Sequence, residues 1–226
     1  MSTATPTTPA DVRGGPPLAV PAAAVAVLTV AAAIAGIGGP RPGSTPAESL
    51  AYSATHPVVI GIGAALLLGT GFPLVVYAAT AVRRFERLGV AAPGPLMGLA
   101  GAVLAAAALS VSALASWTAA QTAGLGDAAL TRTLAWLWFG AGGVGYAAPM
   151  GLLVLGISVP ALVTALVPRW LAVTGVVVGV LALLSTFALA TDVLYPLIPL
   201  GRFGGAVMLL AFAVALPVTR NAGATR

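Results

Sequence analysis

Apolar residues in this chain do not alternate with polar ones at a helix or strand period. They continue for about a span's length and stop at short clusters of Pro, Gly, Arg and hydroxyl residues. A hydrocarbon core about 30 Å thick is crossed by about 20 helical residues rising 1.5 Å each. Six runs reach that length, near 17–38, 58–80, 95–117, 134–158, 170–191 and 197–218. The pattern predicts an all-α polytopic transmembrane bundle of six spans over residues 17–218, with no room between runs for a soluble domain. The first run is too long for the apolar stretch of a cleaved signal peptide and reads as a retained anchor. Residues 1–16, rich in Thr, Pro and Ala, are too poor in apolar content to fold and are predicted to be a disordered cytoplasmic tail. Residues 219–226 form a second, short cytoplasmic tail in this reading.

Composition agrees with the pattern. Hydrophobic residues make up 59% of the chain and charged ones 7%, against roughly a quarter charged in soluble domains. All ten cations are arginine, and their placement orients the bundle because positive flanks are retained in the cytoplasm. With both termini cytoplasmic, Arg13, Arg83, Arg84, Arg87, Arg169, Arg220 and Arg226 fall inside, while Arg41, Arg132 and Arg202 fall outside. Arg83, Arg84 and Arg87, directly after the second span, read as a topology anchor or a contact for anionic headgroups. Arg169 belongs to the same inner set. Trp117, Trp136, Trp138 and Tyr195 are expected at the outer interface, and Tyr77 and Trp170 at the inner one. The arginines are scattered, which argues against a nucleic-acid face. The Ala, Gly, Pro and Arg bias without lysine points to a bacterial plasma membrane.

Serine and threonine occur within the runs, but the span centres hold no Asp, Glu, Lys, Arg, His, Asn or Gln. Ion-coupled transport uses ionisable groups at that depth, so the pattern argues against it. Gly175 with Gly179, Gly201 with Gly205, and Gly140, Gly143 and Ala147 make small-residue faces suited to helix packing within one chain. Pro73 and Pro149 are expected to kink the second and fourth spans. The run Gly140-Ala141-Gly142-Gly143-Val144-Gly145 matches a dinucleotide fingerprint in letters only, lacking the preceding strand and the acid about 20 residues on.

The remaining chemistry gathers outside. Thr45-Pro46-Ala47-Glu48 fits a capping box with proline at the first helical position, opening a short helix that Pro57 ends. Glu48, Tyr52 and His56 then share one face at four-residue spacing. Asp127 is placed to cap the helix leading into the fourth span. The candidate ligand site is an external polar pocket of Glu48, Tyr52, His56, Asp192 and Arg202; its structural counterpart is a solvated loop with a helix cap and an Asp192–Arg202 pair. Cysteine is absent and histidine occurs once. No metal site, catalytic residue or cofactor is therefore predicted. Ser49 and Ser53 near His56 do not form a nucleophile motif.

Val167-Pro168-Arg169-Trp170-Leu171 before a late apolar span resembles the Pro-Arg-Trp-Leu segment of uncharacterised bacterial multi-span membrane proteins known only as domains of unknown function. The Arg83-Arg84 turn after a proline-containing span is similar as well. The resemblance covers about half the chain. It implies a six- or seven-helix membrane protein and transfers no catalytic residue. The expected function is that of a non-catalytic binding or accessory component, with the bilayer and another membrane protein as partners. The alternatives are a substrate-binding subunit of a small-molecule transporter, similar in size and topology to the vitamin-binding components of energy-coupling-factor transporters, and a membrane enzyme with an external active site.

Overall fold

The computed structural model describes residues 17–218; both predicted tails lie outside the described residues. Every regular element among these residues is helical: α1 (Ala19–Ala35), α2 (Pro46–Thr55), α3 (Pro57–Arg87), α4 (Gly94–Thr122), α5 (Ala128–Gly142), α6 (Val144–Val163), α7 (Arg169–Leu184), α8 (Leu197–Pro199) and α9 (Gly205–Ala215), with short 3₁₀ turns after α4 and α7 and a π turn, Leu200–Gly204, joining α8 to α9. Five stretches are long and apolar enough to cross a membrane: Pro57–Arg87, Gly94–Leu125, Ala128–Val163, Arg169–Leu189 and Asp192–Ala215. The chain is a multi-pass, membrane-embedded helical bundle. α1 is apolar but has only 17 residues, about 25 Å of rise.

The surface supports this placement. Val27, Ile62, Phe72, Leu104, Val177 and Val214 point outward and are exposed, a continuous apolar exterior that water would not tolerate. Many serine and threonine hydroxyls within the helices are satisfied locally. Thr70, Ser110 and Ser158 each donate to the carbonyl four residues back, at 2.7, 2.9 and 2.7 Å. No hydroxyl so bonded is left unpaired in lipid.

Helix ends follow the local sequence. The capping box at Thr45 is formed, Thr45 N–H donating to Glu48 Oε2 at 2.7 Å and Glu48 N–H to Thr45 Oγ1 at 3.2 Å. Asp127 Oδ1 accepts from Leu130 N–H at 2.9 Å and starts α5. α3 stops where Gly89 takes φ +73° and Val90 N–H donates back to Phe85 O, the left-handed turn that glycine permits at least cost. Pro73 lies inside α3, which continues to Arg87 as one element.

α6 is the centre of the bundle. It packs between α4 and α7, α3 covers α4, and α1 lies on α3 and α9. A Cβ built on Gly63 would meet Ala35 Cβ at 3.6 Å, so the end of α1 faces the start of α3. α3 and α9 run the same way: Tyr77 Oη donates to Leu209 O at 3.1 Å, and seven residues later Arg84 donates to Leu216 O at 3.2 Å. Tyr77 is therefore fully buried, not a residue of the interfacial belt. Its ring faces α9 because only there can its hydroxyl find a carbonyl inside an apolar bundle.

The glycine faces are intramolecular. A Cβ on Gly156 of α6 would sit 2.5 Å from both Gly94 O and Gly98 N on α4, and one on Gly151 would be 2.6 Å from Gly179 O on α7. Gly175 abuts Ser158, while Gly201 and Gly205 meet Ala147 and Met150. Backbone thus lies against backbone along both sides of α6, the contact that small residues allow in lipid.

Candidate functional site

The fourth apolar run is not one helix. α5 ends at Gly142, Gly143 takes φ −88° and ψ −95°, and α6 starts at Val144. The run breaks at Gly143, six residues before Pro149, which lies inside α6. Four glycines between positions 140 and 145 remove the side-chain bulk that favours helical continuity. That same glycine run, unrelated to nucleotides, was the sequence signal for the break.

Breaking a helix inside a membrane frees carbonyls that lipid cannot satisfy. Arg202 supplies one answer. Its Nη2 donates to Gly142 O at 3.0 Å, and its guanidinium lies over the Tyr146 ring, 5.3 Å from the centroid. A cation at a helix C-terminus also meets the negative end of the macrodipole. The reach is made from the π turn, Leu200–Gly204, where one extra residue per turn re-aims the side chains.

Arg202 was expected in the last external turn, and the structure puts it in the π turn, against the end of α5. It lies within the last apolar stretch, Asp192–Ala215. The carbonyl it binds is ten residues beyond Arg132 along α5, about 15 Å of rise. Position 202 lies five residues into the sixth run, off its centre, yet its guanidinium lines a cavity between helices. A loop arginine and a buried one look alike in sequence when the π turn and the broken neighbour are unseen.

Around this guanidinium is a cavity of about 320 Å³. Its walls come from the end of α1, the start of α3, the end of α5 and the α8–π turn, with Gly39, Pro40 and Tyr52 forming part of its lining above. Ala32, Ile60, Leu67, Trp138, Phe139 and Phe203 make the lining largely apolar. Its polar groups besides Arg202 are few. Ser112 Oγ donates to Trp138 O at 3.0 Å, tying α4 to α5. The Tyr52 hydroxyl has no protein partner among the described residues, and partial burial pushes its pKa above the ordinary value, keeping it protonated. Tyr146, under the guanidinium, and Thr29 carry two buried hydroxyls that neighbour each other without meeting good hydrogen-bond geometry.

Of the five residues predicted to form the pocket, Tyr52 and Arg202 line this cavity; Glu48, His56 and Asp192 do not. Glu48 is held in its capping box. His56 is exposed, stacks on Tyr52 with centroids 4.7 Å apart, and its Nδ1 lies 2.7 Å from Thr55 Oγ1. Asp192 is exposed at the start of a 3₁₀ turn. Arg202 forms no ion pair with it, the sole salt bridge among the described residues being Arg83–Glu86 at 3.0 Å.

Two other arginines also serve backbone. Arg132 donates to Arg41 O at 3.0 Å and to Pro42 O, and lies over Trp136 at 4.9 Å, holding the 40–44 loop on α5. Arg84 caps the end of α9. Arg83, Arg87 and Arg169 are exposed, Arg169 beside an exposed Trp170. No group of three or more His, Cys, Asp or Glu residues able to hold a metal occurs among the described residues. Comparison with known protein families, curated proteins and solved structures finds no match for this chain.

Proposed function

We propose that this protein is a non-catalytic binding or accessory component of a bacterial plasma membrane, retaining a small molecule in the cavity beside Arg202. In this reading α1 makes a sixth crossing and both termini are cytoplasmic. With Arg202 removed from the outer count, Arg83, Arg84, Arg87 and Arg169 stand against Arg41 and Arg132 among the described residues, which favours that orientation. The resemblance of the Pro168-Arg169-Trp170-Leu171 segment to bacterial multi-span proteins agrees with the placement.

One observation carries the binding reading: a cavity near the lower end of the roughly 300–1,000 Å³ range of small-molecule sites contains a cation with no acidic partner. An ionised side chain within a span costs about 2.5–3.5 kcal/mol on insertion scales and is retained mainly where it acts. The cavity's polar groups are a guanidinium, a committed serine and a phenol, which suit recognition. Mass spectrometry of the full chain after mild detergent extraction should find a small molecule other than bulk lipid. Ala33→Leu, which narrows the cavity at α1, should abolish it; an empty wild-type protein, or equal retention by the variant, would count against the reading.

The broken helix favours one specific version, a substrate-binding subunit of a transporter, since interrupted helices whose ends face a cavity recur at transport sites. Copurification with an ATPase and a coupling subunit supports that version; their absence from mild extracts leaves the accessory role.

A further inference from the structure

We infer that the cavity takes a monoanionic ligand, a carboxylate carried on an apolar, ring-sized body, and that Arg202 reads the carboxylate. The inference rests on the binding reading above and assigns the chemistry of its site.

The charge balance comes first. A guanidinium offers five N–H donors, and protein contacts account for one of them, at Gly142 O, plus a ring face at Tyr146. The α5 terminus contributes about half a negative charge, so Arg202 is under-compensated in a low-dielectric setting where unpaired charge is costly. Arg84 and Arg132 resolve the same problem with one or two carbonyls near the bundle ends. Arg202 alone does so while facing a cavity.

The sign and size of the partner charge follow. No second basic residue lines the cavity, so a dianion such as a phosphate monoester would bring one charge that nothing there neutralises. A carboxylate matches both the charge and the parallel donors of the guanidinium fork. The Tyr52 phenol, protonated and without a protein partner among the described residues, adds no charge to the upper lining. Ser112 Oγ is already committed to Trp138 O. The remaining lining, with Trp138, Phe139 and Phe203, suits an apolar or aromatic body.

Thermal unfolding of the full chain in nanodiscs tests this with four probes sharing one ring: phenylacetate, 2-phenylethanol, phenethylammonium and phenyl phosphate. Phenylacetate should raise Tm in proportion to the logarithm of its concentration. The neutral alcohol and phenyl phosphate should bind at least tenfold more weakly, and the ammonium should have no effect. Arg202→Gln removes the charge and shortens the side chain by two bonds, and its unliganded Tm and 2-phenylethanol affinity show that it folds; it should weaken phenylacetate at least tenfold while leaving 2-phenylethanol unchanged. Ala33→Leu separates cavity binding from partition into lipid, because only the former should disappear. Equal affinity of alcohol and carboxylate would overturn the anion assignment and leave the binding reading standing. Stronger binding of phenyl phosphate would overturn the monoanion in favour of a dianion. No shift with any probe would also overturn the assignment, the co-extracted molecule remaining the separate judge of binding.

Discussion

The two flanks of α5–α6 are built from the same few residue types and reach opposite ends. Where α6 is continuous, its glycines meet those of α4 and α7 so closely that an added Cβ at Gly156 would lie 2.5 Å from two backbone atoms. Where the span is broken, at Gly142 and Gly143, the neighbouring α1, α3 and π turn do not close the gap, and a cavity of about 320 Å³ is left with an arginine in its wall. Glycine in lipid therefore does two different things. On an intact helix it lowers the surface and lets backbones approach; clustered, it ends the helix and leaves polar groups that something must satisfy.

The sharpest way to break this comparison is to add volume to the closed side. Gly156→Val should cost about 3 kcal/mol or more, beyond ordinary overpacking because rigid backbone on α4 receives the new atoms. Loss of the monodisperse peak in detergent, or a large fall in Tm, is the measurement. A variant that unfolds like wild type would show that α4 and α6 are not in contact there.

A smaller effect separates a satisfied buried phenol from an unsatisfied one. Tyr77→Phe removes the hydrogen bond to Leu209 O and should cost about 0.6 kcal/mol, up to roughly 1.7, the range for such bonds between membrane helices. Tyr146→Phe, on the cavity side, removes a hydroxyl whose one polar neighbour, Thr29 Oγ1, it does not meet in good hydrogen-bond geometry, and should cost less than Tyr77→Phe. Denaturation of the two variants side by side decides this; equal losses would mean that Tyr146 has a bond unseen in this structure.

Asp127→Ala should cost about 1 kcal/mol through the lost cap of α5, with Asp127→Asn recovering most of it. The smallest change lies between the two regions. Gly140 is in α5 with open space around its missing side chain, so Gly140→Ala should stabilise by at most about 1 kcal/mol through helix propensity. The same substitution at Gly143, whose Cβ would be 2.6 Å from Phe139 O, should destabilise, which places the break at Gly143 and not along the whole glycine run.

The capping box at Thr45, the cap at Asp127 and the glycine contacts at Gly175, Gly179, Gly201 and Gly205 were all legible in the sequence. Each depends on residues one helical turn apart or on a missing side chain, and such information is local. The candidate site was legible only in part. Tyr52 and Arg202 were named, yet Glu48 and His56 share the Tyr52 face of α2 by spacing without facing the cavity. Helical periodicity says which residues lie together on one helix and is silent about which helix stands opposite.

Arg202 marks the boundary between the two kinds of knowledge. Apolar run length and sparse charge determined by themselves that this is a membrane-embedded helical bundle, because the bilayer requires every crossing backbone to satisfy its own hydrogen bonds. The tertiary structure decided that the fourth run breaks at Gly143, that a π turn redirects Arg202 to the freed Gly142 carbonyl, and that the space between them stays open. Those outcomes depend on how a broken helix is compensated by residues 60 positions away, a balance of packing and charge that exists only once the helices have met.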